Sequence, residues 1–330
     1  MQDVADRAGV SRTTVSFVIN QVVDGAIPAE TQQRVWDAVA ALGYRPNAAA
    51  RNLRMQRTHT IGFISDHIAT TPFAGQMIQG AQDFAWEHGK LILLINTGGR
   101  QNMKADAAEA LLERQVEGVL YASMYHREVT PPASLREVPT VLLDSYVADR
   151  SLPSVVPDEV NGGRAAVEHL IARGHSRIGM ITNVDPIPAT MGREKGFRAA
   201  MHHHMLPVDE SLICAVQSDQ AGGYSGGMQL LQRPKRPSAV FCFNDRVAMG
   251  LYQAAAELGL HIPADLAIVG FDNQEVIAPS LRPALTTMQL PHYAMGRWAA
   301  EHLLQLIGTG VKDNPVQQML ECPLIERSSA

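Results

Sequence analysis

The chain has 330 residues, of which 46% are hydrophobic, 18% charged and 5% aromatic, with a formal net charge of −5. A single core stops growing at roughly 250–300 residues, so two or three domains are expected. No apolar run approaches the ~20 residues of a spanning helix, and the first residues lack the basic-then-apolar pattern of a secretory signal, so a soluble cytoplasmic protein without a membrane partner is expected. Cys214, Cys242 and Cys322 are odd in number, far apart and without a C-x-x-C, which supports neither a disulfide framework nor a zinc site.

An acidic total argues against nucleic acid, but the charge is unevenly spread. Residues 1–57 hold seven arginines, no lysine and five acids and are +2, whereas the remainder sets 21 basic groups against 28 acidic ones and is −7. Arg45, Arg51, Arg54 and Arg57 share one thirteen-residue stretch without an acid. A basic module ahead of an acidic one is the usual footprint of a nucleic-acid-binding head, although a solvated helix face gives the same charges.

In chain order, Asp3–Ala8 places Val4, Ala5 and Ala8 on one helical face, and Gly9 ends that helix. Ser11 caps a second helix, Arg12–Ile19, with Val15, Val18 and Ile19 as its buried stripe and Arg12, Thr13, Ser16 and Phe17 on other faces. Helix, glycine turn, helix makes a helix-turn-helix. A third helix opens near Pro28, carries Val35, Ala38, Val39 and Leu42 on one stripe and stops at Gly43. Beyond Pro46, the run Asn47–Asn52 favours helix but spans under three turns, too short to hold without a partner. It is expected to fold on DNA and melt off it, as a transmission element.

The stretch QDVADRAGVSRTTVSFVIN (2–20), followed by LGYRPNAAARNL (42–53), closely resembles the DNA-binding head of the LacI/GalR family of bacterial repressors. The resemblance implies that the second helix enters the major groove and that the segment after Tyr44-Arg45-Pro46-Asn47 forms a hinge helix in the minor groove. It makes Arg12 and Thr13 the base readers, Arg12 through a bidentate contact to guanine. Leu53 becomes the wedge that opens the central base step. The wider DNA-contacting set is then Ser11, Thr14, Ser16, Phe17, Asn20, Tyr44, Asn47, Ala50, Arg51 and Arg54. Three departures stand out. Met1 replaces the isoleucine that follows the family's capping threonine, so the first helix is expected to lack its cap. Phe17 stands where an arginine is common, and Ala48 with Ala49 makes a small-sided hinge.

From Thr60 onward, apolar runs alternate with helical patterns: 61–64, 91–95, 118–121, 141–143, 178–181, 239–243 and 266–271. Continuous apolar strands between helices imply parallel sheets covered on both faces. The fold class expected is an all-α helix-turn-helix head plus an α/β body of two doubly wound parallel-sheet lobes. The division is a head at 1–43, a hinge and linker at 44–57 and a body at 58–330. Lobe one would hold about 58–156 and 286–316, and lobe two about 157–285 and 317–330, with the first crossing near 154–160. The body resembles the family's periplasmic-binding-protein-like sensor, with matching stretches at 165–179, 244–250 and 268–272.

Ligands of open parallel sheets bind beyond the carboxyl ends of the strands. Polar residues there are the effector candidates: Asp66, Thr71, Asp144, Arg193, Asn244 and Asp272, with Phe73 as an apolar face for a sugar ring. Resemblance adds weight to Arg193 of R-x-x-G-F, to Asn244-Asp245 and to Asp272 of G-F-D; Asp245 is expected to cap the following helix rather than touch ligand. Gln220 stands where the family often has an aromatic, which weakens a purine reading. His202-His203-His204 are consecutive and point different ways on a helix, so no metal is expected. The glycine pairs never complete G-x-G-x-x-G, neither G-x-S-x-G nor H-E-x-x-H occurs, and no cofactor or enzyme activity is expected. Ile78, Ala81 and Ala85 serve either lobe packing or a dimer face. The resemblance implies a homodimer on pseudo-palindromic operator DNA, repressing carbohydrate genes under control of a small molecule, with a sugar as the leading effector. A nucleobase or protein co-regulator is the alternative, and a solute receptor the remote one.

Overall fold

A computed structural model describes residues 1–20, 27–44, 58–71, 74–310 and 315–330, which form two compact units, Met1–His59 and Thr60–Ala330. Expectations for Asn47, Ala50, Arg51, Leu53, Arg54 and Phe73 concern residues outside that described set.

In the first unit, α1 (Gln2–Ala8), α2 (Arg12–Ile19) and α3 (Ala29–Leu42) enclose Val4, Ala5, Ala8, Val15, Val18, Val35 and Ala38. Gly9 closes α1 at φ +66°, a conformation glycine takes without a Cβ clash, and Met1 supplies no side-chain cap. The Ser11 hydroxyl accepts the Thr14 amide at 3.1 Å and starts α2. The α3 stripe is shorter than its periodicity predicts: Val39 is half-buried and Leu42 is 42% exposed. At fourteen residues α3 is about twice the length of either partner, so its ends cannot both be covered.

The second unit holds two six-stranded sheets. The first has the order β11-β5-β4-β3-β1-β2, from β1 (Thr60–Ser65), β2 (Leu91–Asn96), β3 (Val119–Glu128), β4 (Thr140–Tyr146), β5 (Ser154–Pro157) and β11 (Gln317–Leu320). The second has the order β12-β10-β9-β8-β6-β7, from β6 (Ile178–Asn183), β7 (Ile213–Val216), β8 (Ala239–Cys242), β9 (Ala267–Asp272), β10 (Thr286–Gln289) and β12 (Leu324–Ile325). All neighbours are parallel except β12, which runs antiparallel to β10.

Side-chain alternation along each strand feeds two cores per sheet. Ile61 and Phe63 of β1 turn toward α4 (Gly75–Glu87) and α10 (His292–Thr309), whereas Ile64 turns toward α5 (Gln101–Glu113). In the second sheet, Met180, Phe241 and Phe271 face α6 (Glu159–Ala172) and α7 (Pro188–His203). Ile181, Cys242 and Ile268 face the side of α8 (Gln220–Leu231) and α9 (Asp245–Glu257). Three helix pairs meet at backbone distance through reciprocal glycines. A Cβ on Gly80 or Gly296 would lie 2.1 Å from the Tyr293 or Met77 carbonyl oxygen, joining α4 to α10. Gly163 and Gly196 do the same for α6 and α7, and Gly223 and Gly250 for α8 and α9.

The chain passes between lobes three times, and two passages differ from expectation. β10 pairs with β9 (Thr287 opposite Gly270), so it belongs to the second sheet and the return to lobe one comes after Gln289 rather than at 285/286. β11 pairs with β5, so the last passage lies between Leu320 and Leu324 rather than at 316/317. Buried bonding fixes β10 there: Thr287 donates to the Asp245 carboxylate at 2.6 Å, and the Thr286 amide donates to Ser329 at 2.8 Å.

Candidate effector cleft and DNA-facing helix

On α2, the hydroxyls of Ser11 and Thr14 lie 2.9 Å apart and serve the helix N-terminus. The Asn20 amide donates to the Ser16 carbonyl at 2.7 Å and to its hydroxyl at 3.2 Å, closing the other end. Arg12, Thr13 and Phe17 are exposed, and Phe17 is 40% accessible. Of the expected DNA-contacting residues, these three present side chains outward without a capping duty. Tyr44 packs against the three-helix core instead of standing free.

The carboxyl ends of β3, β4, β6, β8 and β9 border a cavity of about 500 Å³ between the lobes of the second unit, within the range of small-molecule sites. A second chamber of about 420 Å³ adjoins it and shares Arg246 and Asp272. Across that chamber Gln76 of α4 donates to the Glu275 carboxylate at 2.8 Å, linking the lobes.

Arg193 of α7 organises the main cavity. It is 3% exposed, donates through Nε to Glu159 Oε2 at 2.7 Å, lies 3.5 Å from Asp272 Oδ1 and donates to the Phe243 carbonyl. Its guanidinium carbon stands 3.7 Å from the Phe271 ring centroid and 4.6 Å from that of Phe243. Burial opposes its charge, but Glu159 and Asp272 outweigh burial and hold its pKa above the usual value. A guanidinium so engaged by carboxylates and rings is fixed in place.

Two aspartates at strand ends carry left-handed backbones, Asp144 at φ +53° and Asp272 at φ +104°. Side chains rarely hold such conformations without a functional reason, the cost being on the order of 1–3 kcal/mol. Asp144 is fully buried; burial first, and then Glu159, Asp66 and Asp272, push its carboxyl well above the usual range, with Arg193 in partial opposition. Its Oδ1 has no hydrogen-bond partner. Burial raises Asp272 to about 6, with Arg193 in opposition. His126, beyond an irregularity of β3, is pushed below the ordinary histidine value by burial, and its Nδ1 is unpartnered. Asn183 spends its amide group on Thr190 and the Asp185 carbonyl and leaves Oδ1 buried and unpartnered.

Asp144, Arg193, Asn244 and Asp272 therefore line one cavity, while Thr71 lines the adjoining chamber. Two expected residues line neither. Asp66 accepts from Arg127 and from the His67 amide inside lobe one, and Gln220 donates to Gln253 on the surface where α8 meets α9. Asn244, not Asp245, caps α9, accepting the Val247 amide at 2.8 Å. Asp245 is fully buried and binds the Gln274 amide and the Thr287 hydroxyl. Residues missed at the cavity include His126, Glu159, Asn183, Ser218 and Arg246. Asn183 could have been found as the polar end of Ile178–Asn183, and Glu159 as the first acid of a helix following a strand.

Residues 1–47 match the model of bacterial regulatory proteins of the lacI family, and residues 167–330 that of the periplasmic binding protein-like domain. The ribose operon repressor of Escherichia coli (strain K12) is 34% identical over all of this chain and 99% of its own length. The chain belongs to the LacI family. Among solved LacI-family structures, the lac repressor dimer bound to operator and the anti-inducer ONPF superposes with a TM-score of 0.80 at 27% identity, covering 99% of this chain and 97% of that one. A LacI-family transcriptional regulator from Enterococcus faecium with bound ribose gives 0.67 at 27% identity, covering 82% and 98%. These LacI-family relatives are transcriptional regulators rather than enzymes. Among the described residues no helix is long and apolar enough to cross a membrane, and no cluster fit to hold a metal ion occurs.

Proposed function

We propose that this LacI-family protein is a cytoplasmic, non-enzymatic, homodimeric repressor of carbohydrate uptake or catabolism genes, and that a sugar bound between its lobes sets its affinity for a pseudo-palindromic operator. The observation that carries the sugar reading is the pairing of Asp144 and Asp272, buried carboxylates on left-handed backbones from opposite lobes, around the immobilised Arg193. Carboxylates accept from neighbouring hydroxyls, and the Phe243 ring offers an apolar face beside them. The ribose-named relative and the ribose-bound structure support the same class, and the operator-bound lac repressor dimer supports the assembly.

In this reading Arg12 and Thr13 read bases in the major groove and Leu53 opens the central step. Asp144, Arg193, Asn244 and Asp272 hold the effector, with Thr71 and Phe73 near the mouth. A bound sugar favours one angle between lobes, and the linked change in operator affinity is about 1–3 kcal/mol and reciprocal. Calorimetric titration of the full chain against a sugar and a purine panel, repeated as operator gel shifts, tests it. A sugar that binds and changes operator affinity is expected; tight purine binding with no sugar response would overturn it.

A further inference from the structure

Hydrogen-bonding capacity around the main cavity is lopsided. Its unpartnered buried atoms are Asp144 Oδ1 and His126 Nδ1 on lobe one and Asn183 Oδ1 on lobe two. Both oxygens can only accept, because Asn183 has committed its amide hydrogens to Thr190 and to the Asp185 carbonyl. Donors are spent: Arg193 gives Nε and Nη2 to Glu159 and Nη1 to the Phe243 carbonyl, with Asp272 alongside. Asn244 gives its amide to the Ser218 carbonyl. Charge runs the same way, since the lining has four carboxylates, from Asp144, Glu159, Asp185 and Asp272, against two guanidiniums, from Arg193 and Arg246.

From this we infer that the effector is an unphosphorylated, non-acidic polyol, whose hydroxyls donate to Asp144 and His126 on one lobe and to Asn183 on the other. The inference rests on the sugar reading above and narrows it. A phosphate or carboxylate would bring further acceptors and negative charge to a buried surface that already has an excess of both, and would leave the orphaned acceptors unpaired. An unmade buried hydrogen bond costs more than a made one contributes, so selectivity against the anionic forms is expected to be strong. Bridging donors also give the ligand a differential hold on the closed arrangement, because acceptors on both lobes are reached together only when the lobes meet around it.

The test is calorimetric titration of the full chain with matched pairs: D-ribose against D-ribose 5-phosphate, D-glucose against D-glucose 6-phosphate and D-gluconate, and likewise for other pentoses and hexoses. At least one free sugar should bind, and its phosphate or acid should bind at least ten-fold more weakly. Asp144→Asn, which replaces an acceptor by a group that also donates, should weaken the free sugar at least ten-fold and leave the melting temperature of the body unlowered. An anionic partner binding as tightly as its free sugar, or an Asp144→Asn protein with unchanged free-sugar affinity, overturns the inference while leaving the sugar reading intact. A panel in which no sugar of either kind binds removes the sugar reading and this inference with it.

Discussion

The two lobes share a fold but divide the cavity between them. Lobe two brings groups already wired to one another: Arg193 with Glu159 and Asp272, and Asn244 with α9 and Ser218. Lobe one brings Asp144 and His126, each with an atom left open. One lobe is a prepared surface whose polar groups support each other, and the other presents acceptors that only a ligand completes. The difference teaches that stability and binding are held on opposite sides of one cleft, so single substitutions should separate them.

The largest expected effect is Arg193→Ala. Removing a buried guanidinium strands Glu159 and Asp272, and a loss of roughly 3–5 kcal/mol in the stability of the body is expected by denaturant unfolding, together with effector binding. A loss under 1 kcal/mol would mean that lobe two is less interdependent than its bonds indicate. Next is pH. Asp272 titrates at about 6 in the folded protein and near 3.8 unfolded, so the native state holds a proton that the unfolded chain has released. Its contribution is therefore gained as pH falls through 6 and complete below 3.8, at most about 3 kcal/mol. Asp144 and Asp245, raised well above the usual range mainly by burial, act in the same direction. Thermal melting of the body from pH 4.5 to 7.5 should show part of this slope, and Asp272→Asn should flatten it between 4 and 6; an unchanged slope would show that Asp272 is not a source. On lobe one, Asp144→Asn should do the reverse of Arg193→Ala, costing affinity but not stability. The smallest effect belongs to Gln76→Ala, which removes the exposed bond to Glu275 between the lobes. A shift in effector affinity of no more than about 1 kcal/mol is expected by titration, and a larger one would make that bond a principal strut.

How much of this was legible in the sequence depended on run length. Each of the seven apolar runs became a strand, because four or more consecutive buried positions read the same in sequence and in structure. β5, β7, β10, β11 and β12 span two to four residues each and have no such run; β10 reads Thr-Thr-Met-Gln. Both lobes have the same hydrophobic rhythm, so nothing local assigns Thr286–Gln289 to one sheet rather than the other. That choice lies in distant partners, Asp245 and Ser329. The strand-end rule found Asp144, Asn244 and Asp272, and the R-x-x-G-F resemblance found Arg193. It also picked Asp66, which sits at a strand end but is held by Arg127. His126 escaped because β3 continues past an irregularity, carrying a polar tip into the cavity beyond its apolar segment.

The reciprocal glycines at the three helix crossings have a mechanical consequence. Where a Cα sits directly against a carbonyl oxygen, one helix cannot slide past its partner without driving backbone through backbone. Deformation inside a lobe is thereby discouraged, and relative movement is concentrated in the short connections after Pro157, after Gln289 and after Leu320. Each lobe then turns as a lever on three thin pivots. A spectroscopic probe placed anywhere on one lobe should report the same rotation as any other probe on that lobe, differing only by its distance from the pivots.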